Sequence, residues 1–146
     1  MRAALKYMFL CAIVLAFAGN AAAQSGDSKR EKIDALRATY IARKVNFSTQ
    51  ESQAFWPLYN EMNDKLEAAR KTFRLQYNST TNYDFKTDRE AEMYLNAELN
   101  LKQKEFELYK EYYDKFKKVM PVKKVVALKR AEEDFKKEII ESYKKN

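Results

Sequence analysis

Histidine is absent from the 146 residues, cysteine occurs once, at Cys11, and glycine and proline occur twice each. Each scarcity closes off some chemistry. Without histidine, general acid–base catalysis near neutral pH lacks its commonest residue, and a zinc or copper site would have to be built mainly from carboxylates. One cysteine cannot close a disulfide within the chain. Gly26 is the only glycine beyond residue 23, which excludes a glycine-rich phosphate cradle. Prolines stand only at 57 and 121, so long helices meet few breakers. No stretch alternates apolar and polar residues as a half-buried strand does. Charge and aromatic rings are plentiful instead. A third of the residues are charged, the formal net charge is +7, and there are 10 tyrosines and 9 phenylalanines. The composition is that of long, amphipathic helices.

The first 23 residues stand apart. Arg2 and Lys6 precede an apolar run over residues 8–18, and Ala21-Ala22-Ala23 forms an Ala-x-Ala cleavage site. This is the pattern of a secretory signal peptide cleaved after Ala23. The apolar run is too short to span a bilayer comfortably. Met8-Phe9-Leu10 before Cys11 lacks the small residues that lipidation requires. Residues 24–28 are small and polar, and the expectation is disorder. Residues 29–146 are expected to form one helical domain, with enough chain to bury roughly two-thirds of its unfolded surface.

Charge is unevenly spread. Removal of the first 23 residues leaves +5, and residues 115–146 hold 11 basic and 5 acidic side chains. In an exported protein such a basic end points to an anionic membrane surface, acidic clients or an acidic partner domain rather than to nucleic acid. A solvated lysine-rich face is the alternative.

The chain turns on the stretch 46–59. Ser48 and Glu51 have capping-box spacing, so that hydroxyl and carboxylate each take a backbone N–H at the start of a helix. Phe47 is expected to pack on Phe55 or the preceding helix, and Asn46 tolerates the left-handed conformation that closes a helix. Helix one is predicted over 29–45, with Ile33, Leu36, Tyr40, Ile41 and Val45 on one stripe. The second helix is predicted over 49–77. Its seam of Phe55, Tyr59, Met62, Leu66, Ala69 and Phe73 alternates four and three apart. Pro57 predicts a kink with Phe55 and Trp56 at the bend, or alternatively a helix restarting there. Residues 78–87 read as a loop. Thr87 and Glu90 repeat the capping spacing and open the longest helix, about 32 residues or close to 50 Å. It carries two adjoining stripes. One holds Leu95, Leu99, Phe106, Tyr109, Tyr113, Phe116 and Met120; the other holds Tyr94, Leu101, Leu108, Tyr112 and Val119. Glu98–Lys102, Glu111–Lys115 and Asp114–Lys118 are i,i+4 pairs in the favourable order. Pro121 ends this helix and suits the first turn of the fourth, whose apolar stripe is Val125, Leu128, Phe135, Ile139 and Tyr143. The fold class is all-α. Two stripes on so long a helix offer more apolar surface than its shorter neighbours can cover.

The run Phe47-Ser48-Thr49-Gln50-Glu51, continued by Phe55-Trp56-Pro57-Leu58-Tyr59, resembles the Leu-Thr-x-x-Gln motif of the Spy/CpxP family of periplasmic proteins. It is similar in particular to a Bacteroidetes-type branch described as sensors of extracytoplasmic-function sigma factors. The stretch from Lys117 through Pro121 to Val125, followed by Ala131-Glu132-Glu133-Asp134-Phe135, resembles the family's second motif. Phe47, Ser48 and Glu51 replace Leu, Thr and Gln in the first motif; Pro121 and Lys124 stand for Thr and Gln in the second. The resemblance implies long antiparallel hairpins in a curved four-helix cradle, paired as a homodimer in the periplasm. It also implies ATP-independent chaperone activity or envelope-stress sensing, with unfolded clients or a sensor or sigma-regulator protein on the cradle surface. Some relatives bind zinc, but the chain beyond residue 23 has neither histidine nor cysteine.

Neither an enzymatic activity nor a cofactor is expected. The residues singled out for a client or partner are Met62, Tyr94, Tyr109, Tyr112, Tyr113, Phe116, Lys123 and Lys124, since tyrosines offer amphipathic contact area, methionine adaptable packing and lysines attraction for acidic chains. Phe47, Ser48, Glu51, Phe55, Trp56, Pro57 and Pro121 form the motif corner. The alternative reading is a structural helical oligomer held to an anionic membrane or cell wall by the basic last helix, with peripheral membrane contact.

Overall fold

A computed structural model describes residues 21–77 and 84–144, with side chains placed from residue 31 onward. It contains four α-helices: α1 (Ala21–Val45), α2 (Thr49–Tyr77), α3 (Asp88–Val119) and α4 (Val122–Lys144). Among the described residues there is no strand, and no helix is long and apolar enough to cross a membrane. The chain is all-α. The apolar run 8–18, Cys11 and most of the 78–87 loop lie outside the described residues.

Helix boundaries follow local chemistry. Asn46 closes α1 at φ 53°, the left-handed conformation that asparagine tolerates better than most residues. At the start of α2 the Ser48 N–H donates to Glu51 Oε2 (2.7 Å) and the Glu51 N–H donates to Ser48 Oγ (3.2 Å). At α3 the Glu90 N–H donates to Thr87 Oγ1, while the Glu90 carboxylate reaches one residue further back, to the Lys86 N–H. Met120, forced extended by the proline after it, caps α3 at φ −153°, and its N–H donates to the Phe116 carbonyl. Pro121 stands one residue before α4 rather than in its first turn; its carbonyl accepts from the Lys124 and Val125 N–H groups.

Two expectations are corrected here. Residues 24–28, expected disordered, are helical, and α1 begins at Ala21. Once the packed turns at Tyr40, Ile41 and Val45 are helical, extending the helix back costs little per residue, and no proline stands in the way. Of the two readings at Pro57, the restarting helix is the one overturned: α2 is continuous through it. One lost N–H and one crowded carbonyl are tolerated because the flanking turns are held by packing. Phe55 and Tyr59 on either side are buried, and the Trp56 indole N–H donates to Ser52 Oγ across the turn (3.0 Å).

The described residues fall into two compact units: residues 21–43 with 132–144, and residues 44–77 with 84–131. In the first, Tyr40 stacks obliquely on Phe135 (5.6 Å between ring centroids) and its hydroxyl donates to Glu138 (2.9 Å). In the second, α2 and α3 form a hairpin. Its antiparallel register is shown by Phe55 against Phe116 at one end (5.0 Å) and Phe73 against Tyr94 at the other (5.5 Å), with Arg70–Glu105 bridging between them (2.5 Å). Phe55 is the hub of the corner, in ring contact with Phe47, Trp56, Tyr59 and Phe116. Met62, Leu66, Leu108 and Tyr112 continue the seam. Near the loop the filling is aromatic and only half-buried: Phe73, Tyr77, Phe85 and Tyr94.

Candidate polypeptide-binding surface

The motif corner is a pinned joint. Beyond the reciprocal cap, the Lys124 ammonium donates both to Glu51 Oε2 (2.5 Å) and to the Asn46 carbonyl (2.8 Å). It therefore ties the first turn of α4 to the end of α1 and the start of α2. The Lys124 ammonium, and after it the Ser48 N–H, hold the Glu51 carboxyl below its ordinary range. Phe47 stacks on Phe55 at 4.6 Å, closing the corner over its apolar side. Ser48, Glu51, Lys124 and the Asn46 carbonyl thus bond to one another within the joint, which positions the helices that meet there.

The expected partner surface is split by the structure. Met62, Tyr112 and Phe116 are fully buried and belong to the α2–α3 core, which corrects their assignment to a partner surface. They lie on the sides of α2 and α3 that meet each other, and burial between two helices leaves nothing for a third chain. Lys124 is also withdrawn from that surface by its bonds in the corner. Tyr94, Tyr109 and Tyr113 are half-buried, and Lys123 is exposed. Asp114 pairs with Lys117 rather than with Lys118 (2.5 Å), while Glu98–Lys102 and Glu111–Lys115 form as the sequence predicts.

The residues that remain in water are others from the same sequence stripe. Leu95 (57 %), Leu99 (62 %) and Phe106 (63 %) keep most of their surface exposed. At about 100° per residue these three fall within roughly 40° of one another around α3. They lie about a third to a half of a turn away from Tyr94, Leu101, Leu108 and Tyr112. That second stripe meets α2, leaving the first one uncovered. The stripe is graded along its length. Leu95, Leu99 and Phe106 are open, Tyr109 and Tyr113 are half-covered with their rings 5.9 Å apart, and Phe116 and Met120 are sealed at the corner. From Leu95 to Phe106 the open part spans about 16 Å. Its one polar interruption is Lys102, whose ammonium is held aside by Glu98 (3.3 Å). The signal for this surface was already in the sequence, because Lys102 marks the half of the stripe that faces water.

Other apolar residues stand exposed singly or in pairs: Leu36 on α1, Leu75 on α2, Met93 on α3, and Val122, Val126, Ile140 and Tyr143 on α4. Leu36 and Tyr143, expected in packed stripes, sit in solvent because the buried face of each helix is narrower than its apolar face. Among the described residues no group of three or more acidic or sulfur side chains is arranged to hold a metal ion. Comparison with protein-family models, with curated proteins and with solved structures gives no match.

Proposed function

We infer that this is a non-catalytic, exported polypeptide-binding protein of the periplasm, acting as an ATP-independent chaperone or as an adaptor that hands an envelope-stress signal to a sigma-regulator system. The observation that carries this reading is the open stripe of Leu95, Leu99 and Phe106 on a helix whose other apolar stripe is already packed. Support also comes from the signal-peptide pattern and from the motif resemblance at Phe47–Tyr59.

The stripe sets the kind of binding. Each of its three residues has about three-fifths of its side chain still to bury, worth about 1–2 kcal/mol apiece against 1.5–3 for full burial. Together they supply about 3–6 kcal/mol before the costs of association, which corresponds to weak, reversible capture. Such affinity suits a protein that holds many unfolded segments briefly. The test is suppression of aggregation of a reduced, unfolded client at stoichiometric protein without nucleotide. Undiminished aggregation, together with no retention of an envelope sensor or sigma-regulator protein, refutes the reading.

A second reading is favoured by spacing. Leu95, Leu99, Lys102, Phe106, Tyr109 and Tyr113 alternate four and three apart, the period of a coiled-coil seam. A second copy of α3 would cover the stripe and make a homodimer. Light scattering decides between them: a dimer that Leu99→Gln with Phe106→Gln converts to monomer assigns the stripe to self-association, and a monomer assigns it to clients.

A further inference from the structure

Turn by turn, α4 separates into two faces. Val125, Leu128, Ala131 and Phe135 are buried and Ile139 is half-buried. On the opposite side Val122, Val126 and Ile140 fall within about 40° of one another and are exposed. The same outward half of the helix carries Lys123, Lys129, Arg130, Lys136, Lys137 and Lys144, all exposed, against Glu133, Asp134 and Glu141, and Asp134 pairs with Lys137 (3.8 Å). The other acidic residues of α4, Glu132 and Glu138, lie further round, towards the packed side. A helix of 23 residues thus presents three aliphatic side chains among a net charge of three positives.

We propose that this outer face of α4 docks on the surface of an anionic phospholipid bilayer. The combination decides the partner. Aliphatic side chains enter the boundary between headgroups and acyl chains, and lysines beside them reach out to lipid phosphates along their own apolar stems. A soluble acidic chain or a nucleic acid would satisfy the charges and leave Val122, Val126 and Ile140 in water. The face is distinct from the α3 stripe, so lipid docking and polypeptide capture can be removed separately.

The experiment is co-sedimentation of the protein, recovered after export, with vesicles of phosphatidylglycerol and phosphatidylcholine in equal parts, and with phosphatidylcholine alone. Binding to the anionic vesicles at least tenfold tighter than to the neutral ones, weakening at least tenfold between 0.05 and 0.5 M salt as screening shortens the reach of charge, is the expected result. Lys129→Glu with Lys136→Glu and Lys144→Glu lowers it at least tenfold, with helix content by circular dichroism unchanged. Val126→Gln with Ile140→Gln lowers it about threefold or more, which a purely electrostatic contact would not show. Leu99→Gln with Phe106→Gln binds vesicles like the parent, separating this surface from the proposed polypeptide site. Equal binding to both vesicle types, no binding to either, or a charge-reversed variant that still sediments overturns the proposal. So does polyglutamate or duplex DNA binding more tightly than the vesicles do.

Discussion

Replacing Leu99 and Phe106 together by glutamine tests whether the open stripe on α3 binds or merely happens to be bare. Both residues keep more than 60 % of their surface in water, so the fold loses little when they go. Exposed substitutions away from caps and cores usually change stability by no more than about 0.5 kcal/mol, and glutamine is a good helix former. The urea midpoint is therefore expected to stay where it is. Binding is not. At about 1–2 kcal/mol for each side chain still to be buried, the double variant forfeits about 2–4 kcal/mol, roughly 30- to 700-fold in dissociation constant. Fluorescence anisotropy with a labelled, permanently unfolded client reads the affinity, and urea melts of the same samples read the fold. Phe116→Ala is the contrast: at zero exposure it costs about 3–5 kcal/mol of stability. An early-melting double variant would place Leu99 and Phe106 in a core, and an unchanged anisotropy would remove the stripe from the binding account. Either result refutes the reasoning.

Tyr112 is fully buried, with Lys65 and Lys115 over its ring at 5.2 and 4.1 Å, and its hydroxyl helps to raise the Lys65 ammonium and, after Lys65, to lower the Glu61 carboxyl. Tyr112→Phe keeps both cation–ring contacts, so urea melts should shift by no more than about 1 kcal/mol; a larger loss would mean that the hydroxyl is essential to the seam. Ser48→Ala removes an acceptor from the α2 cap and should cost about 1 kcal/mol in the same melts. Because Lys124 holds Glu51 below its ordinary value, the stability from this pair is fully present above the usual carboxylate range and is lost as pH falls through the depressed value. Melting temperatures between pH 6 and 3 should thus fall less steeply in Lys124→Gln than in the parent, and parallel curves would count against the pair. Burial, and after it the hydrogen bond to Glu138, pushes the Tyr40 phenol up, so its contribution is present below about pH 10 and lost as pH rises through the raised value. Ultraviolet titration should lose a late-ionising component in Tyr40→Phe.

The features legible in the sequence are those decided by neighbours three or four residues away. Ser48 with Glu51, Thr87 with Glu90, the left-handed Asn46 and the extended Met120 before Pro121 are local chemistry, and they fix where α2, α3 and α4 begin or end. Even here competition at short range escapes prediction: Asp114 can reach a lysine at i+3 or i+4, and it takes Lys117. The helical state of residues 24–28 is not legible this way, because small polar residues favour no element by themselves and the helix reaches them by extension from packed turns. Burial was legible only in part. Period places Leu99 and Phe116 on one stripe of α3, but it carries no information about how far along that stripe a neighbour reaches. The covering of Phe116 and the exposure of Leu99 are decided by Phe55 and its aromatic neighbours, more than forty residues away in sequence. For that reason the sequence pattern puts Met62, Tyr112 and Phe116 on an expected partner surface that the structure buries, and passes over the exposed Leu95, Leu99 and Phe106.

Glu51 and Lys124 give the corner a further meaning. The two carry opposite charges and stand 73 residues apart in sequence. In the structure they are one contact, 2.5 Å between ammonium and carboxylate, with both side chains substantially withdrawn from water. Either charge without the other would sit unpaired in a partly desolvated joint, which is unfavourable. Together they form an ion pair, and the reciprocal cap at Ser48 stands intact beside it. A corner fastened by charge holds its helices more tightly at neutral pH than in acid. The exposed residues of the α3 stripe, Leu95, Leu99 and Phe106, take no part in that joint, so acid loosens the corner without touching them.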